Sequence, residues 1–246
     1  MKRIIVILLC LPMFAGAQSL IGGKNVIRWN IGSLALKNYH FTYERVIAKR
    51  VTLSLSYRTM PKGDVPFKSQ LEKAIESDDI NFSNFQMGNT AWTVEGRIYL
   101  GKGGMRGFYI APYLRFANFD LSTPVKYTYT STSGPTAGQS FSKEANFVGK
   151  VKSTSPGLMI GWQIQLASKF VLDLQLLGGH YGTSKGDLNF ATTLNSDEQN
   201  ALNQSLKDIK ADPFKFTYTV NGSGAQIKTD GPWAGVRANI GIGFRF

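Results

Sequence analysis

The chain has 246 residues, a formal net charge of +12 and a mean hydropathy of −0.12. It contains 26 glycines and many Tyr, Phe and Thr residues, a composition that favours strands over helices. After residue 17, no stretch is continuously apolar over the roughly 20 residues that a membrane-spanning helix needs, which excludes an α-helical membrane protein.

The amino-terminal segment has the pattern of a cleaved export signal. The basic pair Lys2-Arg3 precedes a short apolar run, and Ala15-Gly16-Ala17 is a small-residue cleavage site. We therefore expect residues 1–17 to be a signal peptide and residues 18–246 to form one exported domain. The only cysteine, Cys10, lies in the apolar run, which excludes a disulfide-stapled scaffold. Export argues against a nucleic-acid partner, and the positive charge fits attraction to anionic lipid or lipopolysaccharide phosphates.

The rest of the chain contains eight segments in which apolar and polar residues alternate with a period of two. In the first, for example, Ile27 and Trp29 alternate with Arg28 and Asn30. Most of them approach the 9–11 residues of a tilted transmembrane strand. The predicted strands lie at residues 27–32, 39–46, 51–58, 92–100, 108–116, 158–165, 170–176 and 233–246.

The links between these strands alternate between short and long, except that the first link at the long-loop end, at residues 36–38, is brief. In an up-and-down barrel whose amino end is periplasmic, every short turn falls on the periplasmic side and every long loop outside. The expected fold is all-β: an eight-stranded antiparallel up-and-down transmembrane β-barrel with short periplasmic turns and long extracellular loops. The short turns lie at residues 48–50, 101–107 and 167–169, and the long loops at residues 61–91, 120–155 and 181–232.

The long loops have predicted structure of their own. Ser196-Asp197-Glu198-Gln199 matches a capping box before apolar residues at helical spacing, and Lys68–Ser77 has the pattern of a second short helix. Lys126–Thr130 and Phe214–Val220 alternate like strands, so some hairpins are expected to continue above the membrane. Ordered loops on a rigid barrel are where a surface ligand would bind, although such helices are equally compatible with covering the barrel mouth.

Alternation does not say which face of the barrel is inside. A soluble lipocalin-type barrel with an apolar ligand cavity is therefore the alternative. The polar face carries glycine and single charges rather than the Lys/Glu-rich surface expected in water, and the apolar face carries aromatic residues near strand ends, where membrane girdles lie. The pattern thus favours an apolar face turned to lipid. The expected interface aromatics are Trp29, Tyr57, Trp92, Trp162 and Phe170.

An eight-stranded barrel is only wide enough inside for side chains to fill it. With the polar face inward, charged residues share this interior and must pair, because an unpaired buried charge costs several kcal/mol. We expect an ion-pair cluster that holds the barrel shut, and a conducting pore is the alternative. The predicted cluster consists of Arg28, Glu44, Arg58, Glu95, Arg97, Arg115, Asp173, Arg237 and Arg245.

The chain has two histidines that could take part in catalysis. The segment from His180 to Ser184 resembles the His-x-Ser segment of outer-membrane lipid A deacylases, in which the His activates a Ser nucleophile. The nucleophile position is Gly182 here, Ser184 is two residues too far, and Asp187 is a candidate acid. His40 is expected to belong to the polar core. We therefore expect no catalytic residues, and without a His/Cys cluster we expect no metal and no cofactor.

The last strand carries a polar residue, a glycine and two aromatics at Asn239, Gly241, Phe244 and Phe246. This pattern resembles the terminal strand of bacterial outer-membrane β-barrels, which the barrel-assembly machinery reads. The resemblance implies that this machinery is a partner of the chain.

From residue 18 onward the chain resembles the small eight-stranded outer-membrane proteins of the OmpA-barrel, OmpX and OmpW type. In particular, it resembles poorly characterised barrels with an Asn-rich first strand, here Asn25–Ile31, and a Tyr-Glu-Arg second strand, here Tyr43-Glu44-Arg45. The resemblance implies a multi-pass barrel in the outer membrane of a Gram-negative bacterium, in contact with lipid and lipopolysaccharide. It carries no catalytic residues across.

These observations lead to one expected function and two alternatives. We expect a monomeric, non-enzymatic outer-membrane protein with an envelope-structural role, or a surface adhesion or binding role, exerted through loops 61–91, 120–155 and 181–232. The likeness to OmpW suggests a narrow channel for small or hydrophobic molecules as the first alternative. The likeness to lipid A deacylases suggests a lipid A-modifying enzyme as the second.

Overall fold

The computed structural model describes residues 23–64, 82–101, 103–167, 169–209 and 215–246. The predicted signal peptide lies outside these residues. The described residues form nine strands, one α-helix and three short 3-10 turns. The elements are β1 (Asn25–Trp29), β2 (Tyr39–Ala48), β3 (Val51–Asp64), β4 (Gln86–Tyr99), β5 (Gly107–Thr130), β6 (Ser140–Gln165), β7 (Phe170–Ala191), α1 (Ser196–Asp208), β8 (Lys215–Asn221) and β9 (Gly224–Arg245), with 3-10 turns at Ile31–Leu36, Phe82–Asn84 and Gly134–Thr136.

Eight of the strands form a closed ring. Each of the strands β1 to β6 pairs antiparallel with its successor, β7 pairs with β9, and β9 pairs back with β1. This order confirms the predicted eight-stranded up-and-down barrel. The ninth strand, β8, lies outside the ring and pairs only with the far part of β9, from Lys215 opposite Asp230 to Asn221 opposite Gly224.

The ring closes through four residue pairs between β1 and β9, from Val26 opposite Arg245 to Trp29 opposite Ile242. Gly243 faces Arg28 across this seam, and a Cβ at Gly243 would lie 2.5 Å from Arg28 Cγ. A side chain at Gly243 would therefore clash with the Arg28 side chain, which would have to shift. The glycine at this position of the terminal strand thus leaves room for the Arg28 side chain where β1 and β9 meet.

The outer face of the ring is apolar and the inner face is polar. Outward residues such as Ile27 and Ile242 are 52% and 45% exposed, whereas the inward Arg28 and Glu44 are fully buried. An exposed apolar belt around a whole barrel is the surface that a transmembrane barrel turns to lipid. The prediction of an apolar lipid-facing side is confirmed, and the soluble alternative is not the one observed. Among the described residues, no helix has both the length and the hydropathy to cross a membrane.

Two of the predicted long loops are mostly strand. β5 and β6 are 24 and 26 residues long, and β7 and β9 are 22 residues long, about twice what the membrane requires. The predicted loops 120–155 and 181–232 are therefore extended hairpins with ordered tips, as the alternation at Lys126–Thr130 had indicated. We call the part of these strands above the barrel, together with β8 and α1, the extension.

The helix of the extension begins one residue earlier than its sequence pattern suggests. The N-cap is Asn195, and its side chain accepts a hydrogen bond from the Glu198 amide while the Glu198 carboxylate accepts one from the Asn195 amide, both at 2.9 Å. The capping box is therefore shifted from Ser196 by one residue, because the amide side chain of Asn195 takes the position predicted for the hydroxyl. The other predicted helix, Lys68–Ser77, lies outside the described residues.

Strand β7 contains a bulge that the sequence pattern conceals. Gln175 pairs with Asn239 and Gly178 pairs with Arg237, so β7 uses one more residue than β9 over this stretch. Leu176 and Leu177 consequently both face outward, at 48% and 59% exposure. Every inward position of β7 above the bulge is shifted by one residue.

Candidate functional site

The turn between β4 and β5 folds into the end of the barrel where the short turns lie. Its Met105 is fully buried and packs with Val26 and Tyr99. Gly103 has a φ of +84°, and a Cβ there would lie 2.1 Å from the carbonyl oxygen of Lys49, so only glycine permits this approach. Met105 has a φ of 59°, a conformation that costs on the order of 1–3 kcal/mol and that its burial offsets. The predicted short turn therefore also fills the barrel end.

Five charged side chains form one network in the half of the barrel nearer the short turns. Arg28 contacts the Glu44 carboxylate, and its Nε lies 3.3 Å from Asp173 Oδ2. Arg97 lies 2.6 Å from Glu95, 3.0 Å from Asp173 and 3.3 Å from Glu44. None of the five side chains is more than 3% exposed. We call these five residues the lower ion network.

Neutral side chains complete the lower ion network. Gln163 Oε1 accepts a hydrogen bond from Arg28 at 2.9 Å, and the Tyr109 hydroxyl donates to Asp173 Oδ1 at 2.9 Å. The Tyr99 hydroxyl donates to a carboxylate oxygen of Glu44 at 2.8 Å. Each buried charge therefore lies against an opposite charge, and all of them except Glu95 also exchange hydrogen bonds with neutral side chains, which favours their burial. Arg28 Nη2 and Gln163 Nε2 are buried without a hydrogen-bond partner among the described residues. The contacts join β1, β2, β4, β5, β6 and β7 across the interior.

Three other members of the predicted cluster lie farther from the short turns and form a separate group. Arg58 of β3, Arg115 of β5 and Arg237 of β9 are close enough to repel one another, and we call them the arginine tier. Their one acidic contact among the described residues is 3.6 Å long, from Arg237 Nη1 to Glu95 Oε2. The predicted interior cluster is therefore divided into a paired part and a largely unpaired part.

Arg245, the last predicted member, lies at the rim of the barrel and contacts no acidic side chain among the described residues. It donates hydrogen bonds to the carbonyl oxygens of Gly23 and Gly104, and so attaches the β4–β5 turn to the ends of the chain's first and last strands. Together with Lys24, Lys49 and glycine backbone it lines an open cavity of about 720 Å³. Its role is to hold the rim, not to balance interior charge.

An apolar layer separates the arginine tier from the extension. Phe119 and Trp233 meet inside the barrel with ring centroids 4.6 Å apart, beside the buried Ala117 and Val151. Beyond them, Leu202 and Leu206 of α1 are fully buried in a second apolar core. That core draws on every strand of the extension, with Val125, Tyr127, Ala145, Phe147, Leu188, Ala225 and Ile227 among its buried residues and Tyr218 packed against it.

Polar contacts fix the first turn of α1 to the β5–β6 hairpin. Asp197 accepts hydrogen bonds from the amide and the hydroxyl of Thr132, each at 2.9 Å. Lys143 forms an ion pair with Glu198. Burial alone would raise the pKa of Glu198, but the hydrogen bonds from Lys143 and from the Asn195 amide outweigh it and hold that pKa below its usual value. The helix is thus held in a fixed position on the extension.

The residues weighed for catalysis do not meet. The Nδ1 atom of His180 lies 3.2 Å from the Tyr113 hydroxyl, inside the barrel beside the arginine tier. Ser184 faces the same interior four residues farther on, which is about 13 Å along a strand. Asp187 is bound instead to Gln226 at 3.0 Å on the exposed surface. Among the described residues, no group of three or more His, Cys, Asp or Glu side chains could hold a metal ion.

The five predicted interface aromatics lie on the outer face in two groups. Trp29, Tyr57 and Trp92 belong to one row of directly paired residues that also includes Phe41 and Phe116. Trp162 and Phe170 lie nearer the short turns, where Trp162 pairs with Phe108 and Phe170 stands 5.7 Å from the Phe244 ring. The two groups lie towards opposite ends of the barrel wall, as interfacial anchors of a membrane protein do.

The predicted assembly residues divide between the two faces of β9. Asn239 and Gly241 face inward, and the Asn239 side-chain amide donates to Ser33 at 2.8 Å and lies 3.1 Å from His40 Nδ1. Phe244 faces outward and stacks with Phe246 at 6.5 Å. The polar and glycine positions of this strand therefore have a packing role, whatever reads the aromatic ones.

No family model and no curated protein matches the chain. Solved structures that are similar to it include three outer-membrane proteins. The N-terminal β-barrel domain of Pseudomonas aeruginosa OprF is 10% identical with a TM-score of 0.32 and covers 91% of this chain and 98% of its own. The translocator domain of the Neisseria meningitidis autotransporter NalP is 9% identical, with a TM-score of 0.34 and coverages of 100% and 97%. The Escherichia coli outer membrane protease OmpT is 9% identical, with a TM-score of 0.36 and coverages of 90% and 92%. These values are too low to bear on function, and the barrel is established by the chain's own strand pairing.

Proposed function

We propose that this small barrel is a non-enzymatic outer-membrane protein of a Gram-negative bacterium whose function is exerted by the extension, as a surface for adhesion or binding or as an envelope-structural element. The observation that carries the proposal is that α1 is packed and hydrogen-bonded against the strands of the extension. Leu202 and Leu206 are fully buried, and Asp197 and Glu198 are bound to the β5–β6 hairpin. An ordered structure built on continuous strands gives a rigid presenting surface.

The filled interior supports a closed barrel in preference to a channel. The lower ion network crosses between six of the eight barrel strands, and Met105 lies beneath it. In planar bilayers we expect the wild-type protein to give no steady conductance. Sustained conductance of the wild-type barrel would favour the narrow-channel alternative and contradict the closed-barrel proposal.

The separation of His180 from Ser184 and Asp187 supports a non-enzymatic role. We expect the lipid A mass spectrum of a producing strain to match that of a deletion strain. Loss or gain of an acyl chain that depends on His180 would replace this proposal with the lipid A-modifying alternative.

The extracellular position of the extension is open to a direct labelling test. Thr136 lies at the tip of the β5–β6 hairpin, and Lys49 lies in a short turn at the other end. In intact cells a membrane-impermeant maleimide should label Thr136→Cys, whereas Lys49→Cys should react only after lysis. The reverse pattern would place the extension in the periplasm and contradict the proposal.

The role of the extension is tested by a substitution that disrupts the packing of α1. Leu202→Asp places a charge in the apolar core of the extension and leaves the barrel residues unchanged. We expect this variant to insert normally but to fail to restore the detergent resistance or adherence lost in a deletion strain. Full restoration would show that the barrel alone is sufficient. The surrounding lipid, lipopolysaccharide and the assembly machinery that reads the terminal strand are further partners in this proposal.

A further inference from the structure

The arginine tier is built from residues that face one another inside the barrel. Arg58 is directly opposite His40 on β2, and Arg115 is directly opposite Ser155 on β6. The Arg237 guanidinium lies 4.5 Å above the Tyr113 ring, whose hydroxyl reaches His180. The tier therefore brings cationic and neutral polar groups from six strands to one level of the barrel.

The charges of this level are not balanced by acidic side chains. Across the described barrel interior, five arginines in the lower ion network and the arginine tier face three carboxylates, an excess of two positive charges. The carboxylate shared with the tier, Glu95, is 2.6 Å from Arg97 and 3.6 Å from Arg237, so it is committed mainly to the lower network. Arg58 and Arg115 bond only to neutral acceptors among the described residues, Asn89 at 2.6 Å and Thr93 at 3.4 Å.

Several donors at this level are unused. Arg58 Nε and Ser155 Oγ are buried without a hydrogen-bond partner among the described residues, and Ser155 is only 1% exposed. Arg237 Nη1 also makes no hydrogen bond, because its 3.6 Å contact with Glu95 is too long for one. A buried donor without a partner costs roughly 1–3 kcal/mol, and more when it is charged. Guanidinium groups, with several N–H donors each, are the side chains best suited to bind an oxyanion.

Among the described residues, one side of β9 next to the tier has no strand paired to it. On the side of β9 that faces β1, pairing with β1 ends at Ile242 and pairing with β8 ends at Asp230. The 3-10 turn after β1 packs against Asn239 and Ile240, so Arg237 belongs to a stretch of β9 that has no described strand on that side. This stretch of β9, which we call the gap, lies at the height of the tier, and we take it as the place where a small anionic group would enter.

We propose that Arg58, Arg115 and Arg237, with Ser155, form a binding site for a phosphate group inside the upper barrel. A phosphate carries a charge of about −1.5 to −2 near neutral pH and accepts several hydrogen bonds at once. Both properties match the two excess positive charges and the unused donors. The site is independent of the function proposed for the extension.

The site is tested with inorganic phosphate on the full chain folded in detergent micelles. Sodium phosphate is exchanged for sodium chloride at constant ionic strength while the thermal unfolding midpoint is followed. We expect a saturable rise of the midpoint, because a ligand that binds only the folded state stabilises it. In Arg58→Gln, Arg115→Gln and Arg237→Gln the apparent affinity should fall by about tenfold or more, the size expected from losing one charge-assisted contact.

The matched control is Arg106→Gln, which removes the same charge at an exposed position outside the tier. Its response to phosphate should equal that of the wild type. The line width of inorganic phosphate in 31P NMR, measured with the wild-type protein and with sulfate as competitor, gives a readout that does not depend on variants folding. No response, no competition, or an equal response in all four variants would overturn the proposal.

The phosphate group could belong to a soluble anion or to a lipid headgroup. Nanodiscs of phosphatidylcholine, with and without phosphatidic acid, separate these sources. Stabilisation by phosphatidic acid that is lost in Arg237→Gln would assign the site to a lipid that enters through the gap. Stabilisation by inorganic phosphate alone would assign it to a soluble ligand. If neither arm depends on the arginines, the proposal is wrong.

Discussion

The lower ion network and the arginine tier both contain buried arginines, at neighbouring levels of the same barrel interior, yet they differ in charge balance. In the lower network every arginine lies between carboxylates, and the side chains are essentially inaccessible to solvent. In the tier three arginines share one distant carboxylate, and Arg58 and Arg237 retain partial exposure. The balanced charges connect strands, whereas the unbalanced charges form the phosphate site that we propose.

The largest expected effect tests the balanced side of this comparison. Glu44→Gln removes the carboxylate that Arg28, Arg97, Thr52 and Tyr99 share. Because two buried arginines then lose a counter-charge, we expect the free energy of unfolding to fall by about 3–5 kcal/mol. Urea unfolding in lipid vesicles, followed by tryptophan fluorescence, measures the change.

The control for that prediction is an exposed ion pair. Asp120→Asn removes the partner of Lys150, 3.5 Å away at the surface, and should cost less than about 1 kcal/mol. Equal losses in Glu44→Gln and Asp120→Asn would show that the lower network is not a structural cross-link.

The apolar core of the extension gives a reference in which charge takes no part. Leu202→Ala creates a cavity beneath α1, and such truncations cost about 2–5 kcal/mol. Since the helix lies outside the ring, we expect the loss in protease resistance of the extension and not in the heat-modified gel mobility of the barrel. A matching change in mobility would mean that barrel and extension unfold together.

The capping box should contribute less than the apolar core. Asn195→Ala removes the acceptor for the Glu198 amide and should cost about 1 kcal/mol of local stability. Amide hydrogen exchange in the first turn of α1 measures this directly. Asn195→Ser, which retains an acceptor, is expected to behave almost as the wild type does.

Acid should loosen the same turn. The pKa of Glu198 is lowered in the folded chain, so its contribution is complete above its ordinary value of 4.5 and is lost as the pH falls through the lowered pKa. Protease resistance of the extension should therefore decline below about pH 4.5, and in Glu198→Gln that acid-dependent part should be absent. An unchanged pH profile in this variant would assign the acid effect to other carboxylates.

The smallest expected effect has the opposite sign and is the sharpest test of the comparison. Arg115→Met removes a cation from the unbalanced tier and leaves no carboxylate without a partner among the described residues. In phosphate-free buffer we expect the free energy of unfolding to stay within about 1 kcal/mol of the wild type or to rise, because like-charge repulsion is relieved. A loss as large as that of Glu44→Gln would make the two layers equivalent.

The alternating sequence was enough to predict the ring, its inward polar face and the continuation of hairpins above the membrane. It could not predict which charges pair, because alternation assigns Arg28 and Arg58 to one face without giving their relative heights, and those heights depend on the stagger between strands. Nor does any pattern mark Met105, whose burial depends on a backbone conformation that methionine rarely adopts. The full length of the strands above the barrel could be predicted only in part. Their outward face lies in water and does not have to be apolar, so the alternation there is weaker.

Because of the single extra residue in β7, the inward-facing positions are odd-numbered on one side of the bulge and even-numbered on the other. Below Leu176 the odd-numbered residues Asp173 and Gln175 face the interior, and above Leu177 the even-numbered Gly178 and His180 do. If β7 kept this extra residue but alternated strictly through Leu176 and Leu177, without a bulge, the faces of His180 and Tyr181 would be exchanged. A tyrosine would then face the arginine tier, and an imidazole would face lipid. One inserted residue thus determines which chemistry the upper half of the barrel can have.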